Sequence, residues 1–118
     1  MRVAFGDIHQ QAAMGFGPAQ FKLGLMYESG NGVKQDDKEA FGWIKQAAEN
    51  GEVGAQTYLG WIYQEGRGVR ANKKNAFYWF RQAAENEDVF AQYELAICYT
   101  YGVGTNKSIS KALYWLEN

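Results

Sequence analysis

The amino-acid sequence predicts an all-α fold: a right-handed α-α superhelix, or solenoid, of antiparallel helix pairs with a 36-residue repeat. Three observations predict it. First, shifting the 118-residue chain by 36 aligns the same residue types three times. Ala19-Gln20 meets Ala55-Gln56 and Ala91-Gln92, Leu23 meets Leu59 and Leu95, and Tyr27 meets Tyr63 and Tyr99. Gly30 and Gly32 meet Gly66 and Gly68, then Gly102 and Gly104, and Ala40 and Trp43 meet Ala76 and Trp79, then Ala112 and Trp115. Second, each unit reads as two segments of helical period joined through its glycine pair, and nothing reads as a strand. Third, units this short cannot enclose a core alone, so each must bury its shared face on its neighbours.

The elements follow in order. A helix resembling the second helix of a unit is expected near 4–13, where Ala4-Phe5-Gly6 matches Ala40-Phe41-Gly42. Helix A of each unit is expected over 17–29, 53–65 and 89–101, and the glycine after each run takes the left-handed conformation that ends a helix. Pro18 suits a first helical turn. Helix B is expected over 37–49, 73–85 and 109–118, after Asp36, Asn72 and Ser108, whose side-chain oxygens cap free N–H groups. Asp36 and Glu39 have the spacing of a capping box. Gly24 and Gly60, replaced by Ala96 in the third unit, lie inside helices where glycine costs ~1 kcal/mol relative to alanine, which predicts close helix contact there. Ala19, Ala55, Ala91 and Ala40, Ala76, Ala112 allow the same approach, with Trp43, Trp79 and Trp115 filling the space beside them. The chain therefore divides into a partial repeat (1–16), repeat one (17–52), repeat two (53–88) and a truncated repeat three (89–118), all within one solenoid domain spanning 1–118.

Composition excludes several function classes. With 12 basic and 13 acidic residues the formal net charge is -1, which gives no general attraction to nucleic acid or to an anionic membrane. No apolar run approaches the ~20 residues of a membrane span, and the start lacks an apolar signal core. The chain as written is expected in the cytoplasm, or exported if it is part of a longer precursor. Cys98 and His9 are the only residues of their kinds, so no internal disulfide or Cys/His zinc site is available. A nucleophile with a histidine base would depend on His9. The expectation is a non-catalytic chain with no metal and no cofactor. Gly-x-Gly here joins two helices and lacks the strand and lysine of a nucleotide site. Cys98, in line with Met26 and Ile62, reads as a buried small hydrophobe, His9 as a surface residue, and Arg67, Arg70, Lys73, Lys74 and Arg81 as a solvated basic patch.

Ala55, Leu59-Gly60, Tyr63, Gly66-Arg67-Gly68-Val69, Asn75-Ala76, Trp79 and Ala83-Ala84 carry a resemblance to the Sel-one-like repeat family, relatives of tetratricopeptide repeats with slightly longer units. The first unit shows the same pattern in Gly30-Asn31-Gly32-Val33, Glu39-Ala40, Trp43 and Ala47-Ala48, and the third departs at Ala96 and Thr105. The resemblance covers almost the whole chain. It implies an adaptor that holds other proteins together, often in bacterial signalling, envelope assembly or host interaction. A cysteine-rich branch of the family carries a disulfide in every repeat and is associated with β-lactam-like compounds; a chain with Cys98 alone falls outside it.

Positions that recur serve packing, so a particular function must be written in positions that differ. On a helical wheel the recurring positions 19, 20, 23, 24, 27 and 30 share an arc of about 140°, whereas 18, 22, 25 and 29 lie opposite, between about 240° and 300°. In related solenoids the A helices line the concave surface. The expected partner-binding residues are Lys22, Leu25 and Ser29 in unit one, with Pro18 beside them; Tyr58, Trp61 and Glu65 in unit two, beside Gly54; and Phe90, Glu94, Ile97 and Tyr101 in unit three. A face meeting only water would be polar, yet this one carries Leu25, Tyr58, Trp61, Phe90, Ile97 and Tyr101. Trp61 stands out because the other three tryptophans hold the scaffold position. The competing reading packs Leu25, Trp61 and Ile97 between neighbouring A helices as inter-repeat core. The expected function is a protein-protein interaction module that binds a peptide, loop or helix of another protein in the concave groove. An inhibitor or immunity-type protein that blocks an enzyme is the alternative, and an envelope-polymer-binding protein or hydrolase ranks last because it needs a platform these residues do not display. The uncapped end at Trp115-Leu116-Glu117-Asn118 adds self-association to the expected partner modes.

Overall fold

The computed structural model describes residues 5–117, which form seven helices: α1 (Phe5–Ala13), α2 (Gly17–Ser29), α3 (Asp37–Glu49), α4 (Val53–Glu65), α5 (Lys73–Glu85), α6 (Val89–Tyr101) and α7 (Ile109–Glu117). Among the described residues there is no strand. The five inner helices begin and end where the repeat places them; Ala4 and Asn118, the outer limits of the first and last expected helices, lie outside the described residues.

Local chemistry explains these ends. Gly30, Gly66 and Gly102 terminate α2, α4 and α6 in the left-handed region (φ 73°, 73° and 68°), donating their N–H groups to the carbonyls of Met26, Ile62 and Cys98. At the B helices, the Asp36 carboxylate accepts from the N–H groups of Lys38 (3.0 Å) and Glu39 (3.2 Å), Asn72 accepts from Asn75 (3.0 Å), and the Ser108 hydroxyl accepts from Lys111 (3.3 Å). The capping box is only half made. The Asp36 N–H that Glu39 would satisfy donates instead to the carbonyl of Tyr27 (2.9 Å), and Asn72 and Ser108 donate likewise to Tyr63 (2.8 Å) and Tyr99 (2.9 Å). Each turn is thus tied to the A helix of its own unit.

The recurring small residues mark where helices and turns touch. A Cβ on Gly60 would stand 2.6 Å from the Phe80 ring, and one on Gly24 would collide with Ile44. Phe80 and Ile44 are among the most buried residues, so glycine here exchanges helix propensity for close packing of α4 on α5 and α2 on α3. The second glycine of the turns in units two and three has another role: a Cβ on Gly68 would strike the Asp37 carbonyl, and one on Gly104 the Lys73 carbonyl. The turn of each of these units therefore rests on the first turn of the preceding B helix, backbone against backbone.

Recurring glutamines join the units. The side-chain amides of Gln20, Gln56 and Gln92 donate to the carbonyls of Ala12 (3.1 Å), Ala48 (3.2 Å) and Ala84 (3.4 Å) near the end of the preceding B helix. Asn50 and Asn86 donate back to the oxygens of Gln20 (2.7 Å) and Gln56 (3.1 Å). Edge-on rings do the same with apolar surface, Phe41 on Tyr63 and Phe77 on Tyr99, each pair with centroids 5.5 Å apart. Every helix packs on the ones before and after it, placing α2, α4 and α6 in one layer and α1, α3, α5 and α7 in the other. The result is extended, 47 × 27 × 19 Å with a radius of gyration of 15.2 Å, against ~13 Å for a compact domain of about this size.

Candidate functional site

The layer formed by α2, α4 and α6 separates the two sets of positions as the wheel requires. Ala19, Gln20, Leu23 and Gly24, and their equivalents Ala55, Gln56, Leu59, Gly60 and Ala91, Leu95, Ala96, are buried. On the other side Lys22, Ser29 and Glu65 are exposed, as are Phe90 (71% exposed) and Tyr101 (68%). Leu25, Tyr58, Trp61, Glu94 and Ile97 are half-buried. The apolar strip is therefore part surface and part wall: only its α6 members Phe90 and Tyr101 stand fully in solvent.

Polar side chains bridge the helices of this layer. The Tyr58 hydroxyl donates to the Glu28 carboxylate of the preceding A helix, and burial, then this bond, pushes the phenol above its usual range. Glu94 on the following A helix lies beside the Trp61 indole; burial raises the Glu94 carboxyl and the indole partly counters it. Thr57 donates to Asp88 (2.5 Å), whose carboxylate also caps α6 through the Ala91 N–H (3.1 Å). Trp61 also meets Tyr58 edge-on at 6.0 Å and packs partly against the core. It thus serves as a wall between units two and three while still lining an open depression.

That depression, about 320 Å³, is lined by Glu28, Tyr58, Trp61, Ile62, Glu65 and Arg67. The Arg67 guanidinium stands 3.7 Å from Glu28 and 3.8 Å from Glu65. Lys22 lies in a separate depression with Phe16 and Pro18. Phe21 packs over Gly54, 3.0 Å from where a Cβ would stand, and meets Tyr58 edge-on at 6.2 Å. The wheel reasoning missed Phe21, Glu28, Arg67 and the exposed Tyr93. Phe21 and Glu28 lie at about 180–200° on the same wheel, at positions that vary between units, and a wider arc would have included them.

The remaining sequence features take ordinary places. Of the basic patch, Arg70, Lys73 and Lys74 are exposed and Arg81 pairs with Glu85 at 3.1 Å. Cys98 is buried in the core, its thiol pushed up to about 11 by burial and then by Glu94. His9 is exposed and meets Trp43 edge-on at 5.6 Å. The scaffold tryptophans Trp43, Trp79 and Trp115 are half-buried on the B-helix layer. Among the described residues no group of His, Cys, Asp and Glu is placed to hold a metal ion, and no helix is long and apolar enough to cross a membrane.

Comparison with known proteins agrees with this architecture. The Sel1 repeat profile matches residues 17–52, 53–88 and 89–118. A crystal structure of a Sel1 repeat protein from Oxalobacter formigenes is 40% identical, with a TM-score of 0.88 over 94% of this chain and 84% of that one. A protective antigen of uropathogenic Escherichia coli strains, displaying an SLR fold, is 37% identical with a TM-score of 0.91; the match covers 95% of this chain but only 24% of that one. Helicobacter pylori cysteine rich protein B is 26% identical, with a TM-score of 0.71 over 74% of this chain and 65% of that one. No curated protein sequence matches.

Proposed function

The chain belongs to the Sel1 repeat family, and on that premise we propose that it is a non-catalytic protein-protein interaction module that seats a peptide, loop or helix of a partner along the groove of α2, α4 and α6. One observation carries the reading. The face opposite the repeat packing holds aromatic and aliphatic side chains, from half-buried Tyr58 and Trp61 to exposed Phe90 and Tyr101, where solvent alone would favour polar ones. Lys22, Ser29 and Glu65 supply the polar rim that commonly surrounds such a patch.

Trp61 is the central residue of that face, so its truncation is the sharpest test. We predict that Trp61→Ala weakens partner affinity by ~2 kcal/mol or more while helix content stays close to that of the parent. Affinity purification from the source cell with parent and variant, followed by calorimetry on the recovered partner, measures it; equal affinity for both refutes the groove. Recovery of a single tight enzyme partner whose activity falls on binding would move the reading to an inhibitor acting through the same face.

Self-association is a second reading, favoured by α7. Leu113 and Leu116 are 51% and 55% exposed, whereas Phe77 and Phe80, at the equivalent places one unit earlier, are half-buried and buried. On this reading a second copy covers the two exposed leucines.

A further inference from the structure

Acidic side chains gather about the depression beside Trp61. The A helices carry Glu28, Glu65 and Glu94 against Lys22, and Lys22 sits in a different depression. Two of these carboxylates line the depression itself, and the third, Glu94, lies near the Trp61 indole. Arg67 is the cation in the lining, and it pairs with both of its carboxylates only at long range. At 3.7 Å from Glu28 and 3.8 Å from Glu65, it stands beyond the reach of a normal N–H···O hydrogen bond, ~2.7–3.2 Å. The Glu28 side chain is only 14% exposed. It accepts from the Tyr58 hydroxyl and keeps further acceptor capacity, since an ionised carboxylate offers about four lone-pair sites. Glu65 projects into solvent at the rim.

These groups make a small site with aromatic walls and an acidic lining, at the lower end of the size range of ligand pockets, ~300 Å³ and upward. A cation over an aromatic ring gains from the ring quadrupole, and a planar guanidinium also forks onto carboxylates, which an ammonium cannot do. The surroundings specify what carries the cation. Leu25 and Ile97 hold the Trp61 position in the units on either side, so a chain laid across the three A helices meets aliphatic, aromatic and aliphatic side chains in turn.

We propose that the depression formed by Glu28, Tyr58, Trp61 and Glu65 receives an arginine side chain of the partner protein, presented in an extended segment with apolar residues on both sides. The proposal rests on the groove reading above and names the chemistry of its occupant. Arg67 remains on the carboxylates as a neighbour of the incoming guanidinium, and Glu65 and Glu94 provide the excess negative charge that draws it in.

Two fluorescein-labelled decapeptides of identical sequence test this, one with a single arginine between two leucines and the other with citrulline, its neutral near-isostere, in that place. Anisotropy titrations on the full chain at low salt should show the arginine peptide binding ~5-fold more tightly, with the advantage shrinking as salt rises. The Trp61 indole N–H resonance should move on binding. In Glu65→Gln, whose side chain is exposed, the arginine advantage should shrink. Equal affinities on the parent chain, or an arginine advantage undiminished in Glu65→Gln, overturns the arginine site. If the Trp61 resonance still moves with both peptides, the groove reading survives that failure. If partner capture is also insensitive to Trp61→Ala, the groove reading falls as well.

Discussion

Glu87 takes a left-handed backbone (φ 69°), the only non-glycine residue with positive φ among those described. Gly15 and Gly51 occupy the equivalent places in the preceding units, with φ of 92° and 91°. An L-residue in this region costs ~1–2 kcal/mol, part of which is returned because glycine loses more conformational freedom on folding, ~0.5–1 kcal/mol. Glu87→Gly is therefore expected to stabilise the fold by ~0.5–1 kcal/mol, read as a raised urea midpoint with an unchanged slope. Other residues show how far side-chain reasoning reaches. Gly24 and Gly60 announced a close contact because nothing else justifies glycine inside a helix, and Ile44 and Phe80 supply it. The Tyr58–Glu28 bond and the nearness of Trp61 to Glu94 were not legible, because they depend on how long side chains lean between helices 30 and 33 residues apart in sequence.

At the scale of the helix, the boundaries were legible because the chemistry that ends each element is local and repeated. A left-handed glycine closes each A helix, and a short oxygen-bearing side chain opens each B helix. The capping box failed for a reason outside the helix: the Asp36 N–H is committed to Tyr27. The glutamines at the start of each A helix were recognisable as conspicuous repeats but not as joints, since a carbonyl eight residues away has no sequence signature. Gln56 is 6% exposed, donates to Ala48 and accepts from Asn86. Removing it leaves a buried carbonyl and an amide without their partner, so Gln56→Ala should destabilise by ~1–3 kcal/mol. Gln92 is only half-buried and its bond is longer at 3.4 Å, so Gln92→Ala should cost less. Chemical denaturation of both variants side by side checks the order.

Across the whole molecule, stability is a sum of unit and interface contributions, and α7 exposes apolar side chains at Leu113 and Leu116. Leu113 and Leu116 on α7 predict association that grows with concentration in sedimentation velocity, and that Leu116→Lys weakens while the inner units keep their melting behaviour. A strictly monomeric parent chain across the accessible concentrations removes that reading. The opposite face of the A helices is only partly separate from those joints, since Tyr58 bonds Glu28 of the preceding unit and Trp61 packs partly against the core. The Gly68 and Gly104 turns seat directly on the main chain of the preceding helix at Asp37 and Lys73. The step from one module to the next is therefore gauged by bare peptide, like the fixed rungs of a ladder. Changes at the exposed Phe90 and Tyr101 should leave rise and curvature as this spacer sets them, whereas changes at Tyr58 or Trp61 should disturb the stacking as well.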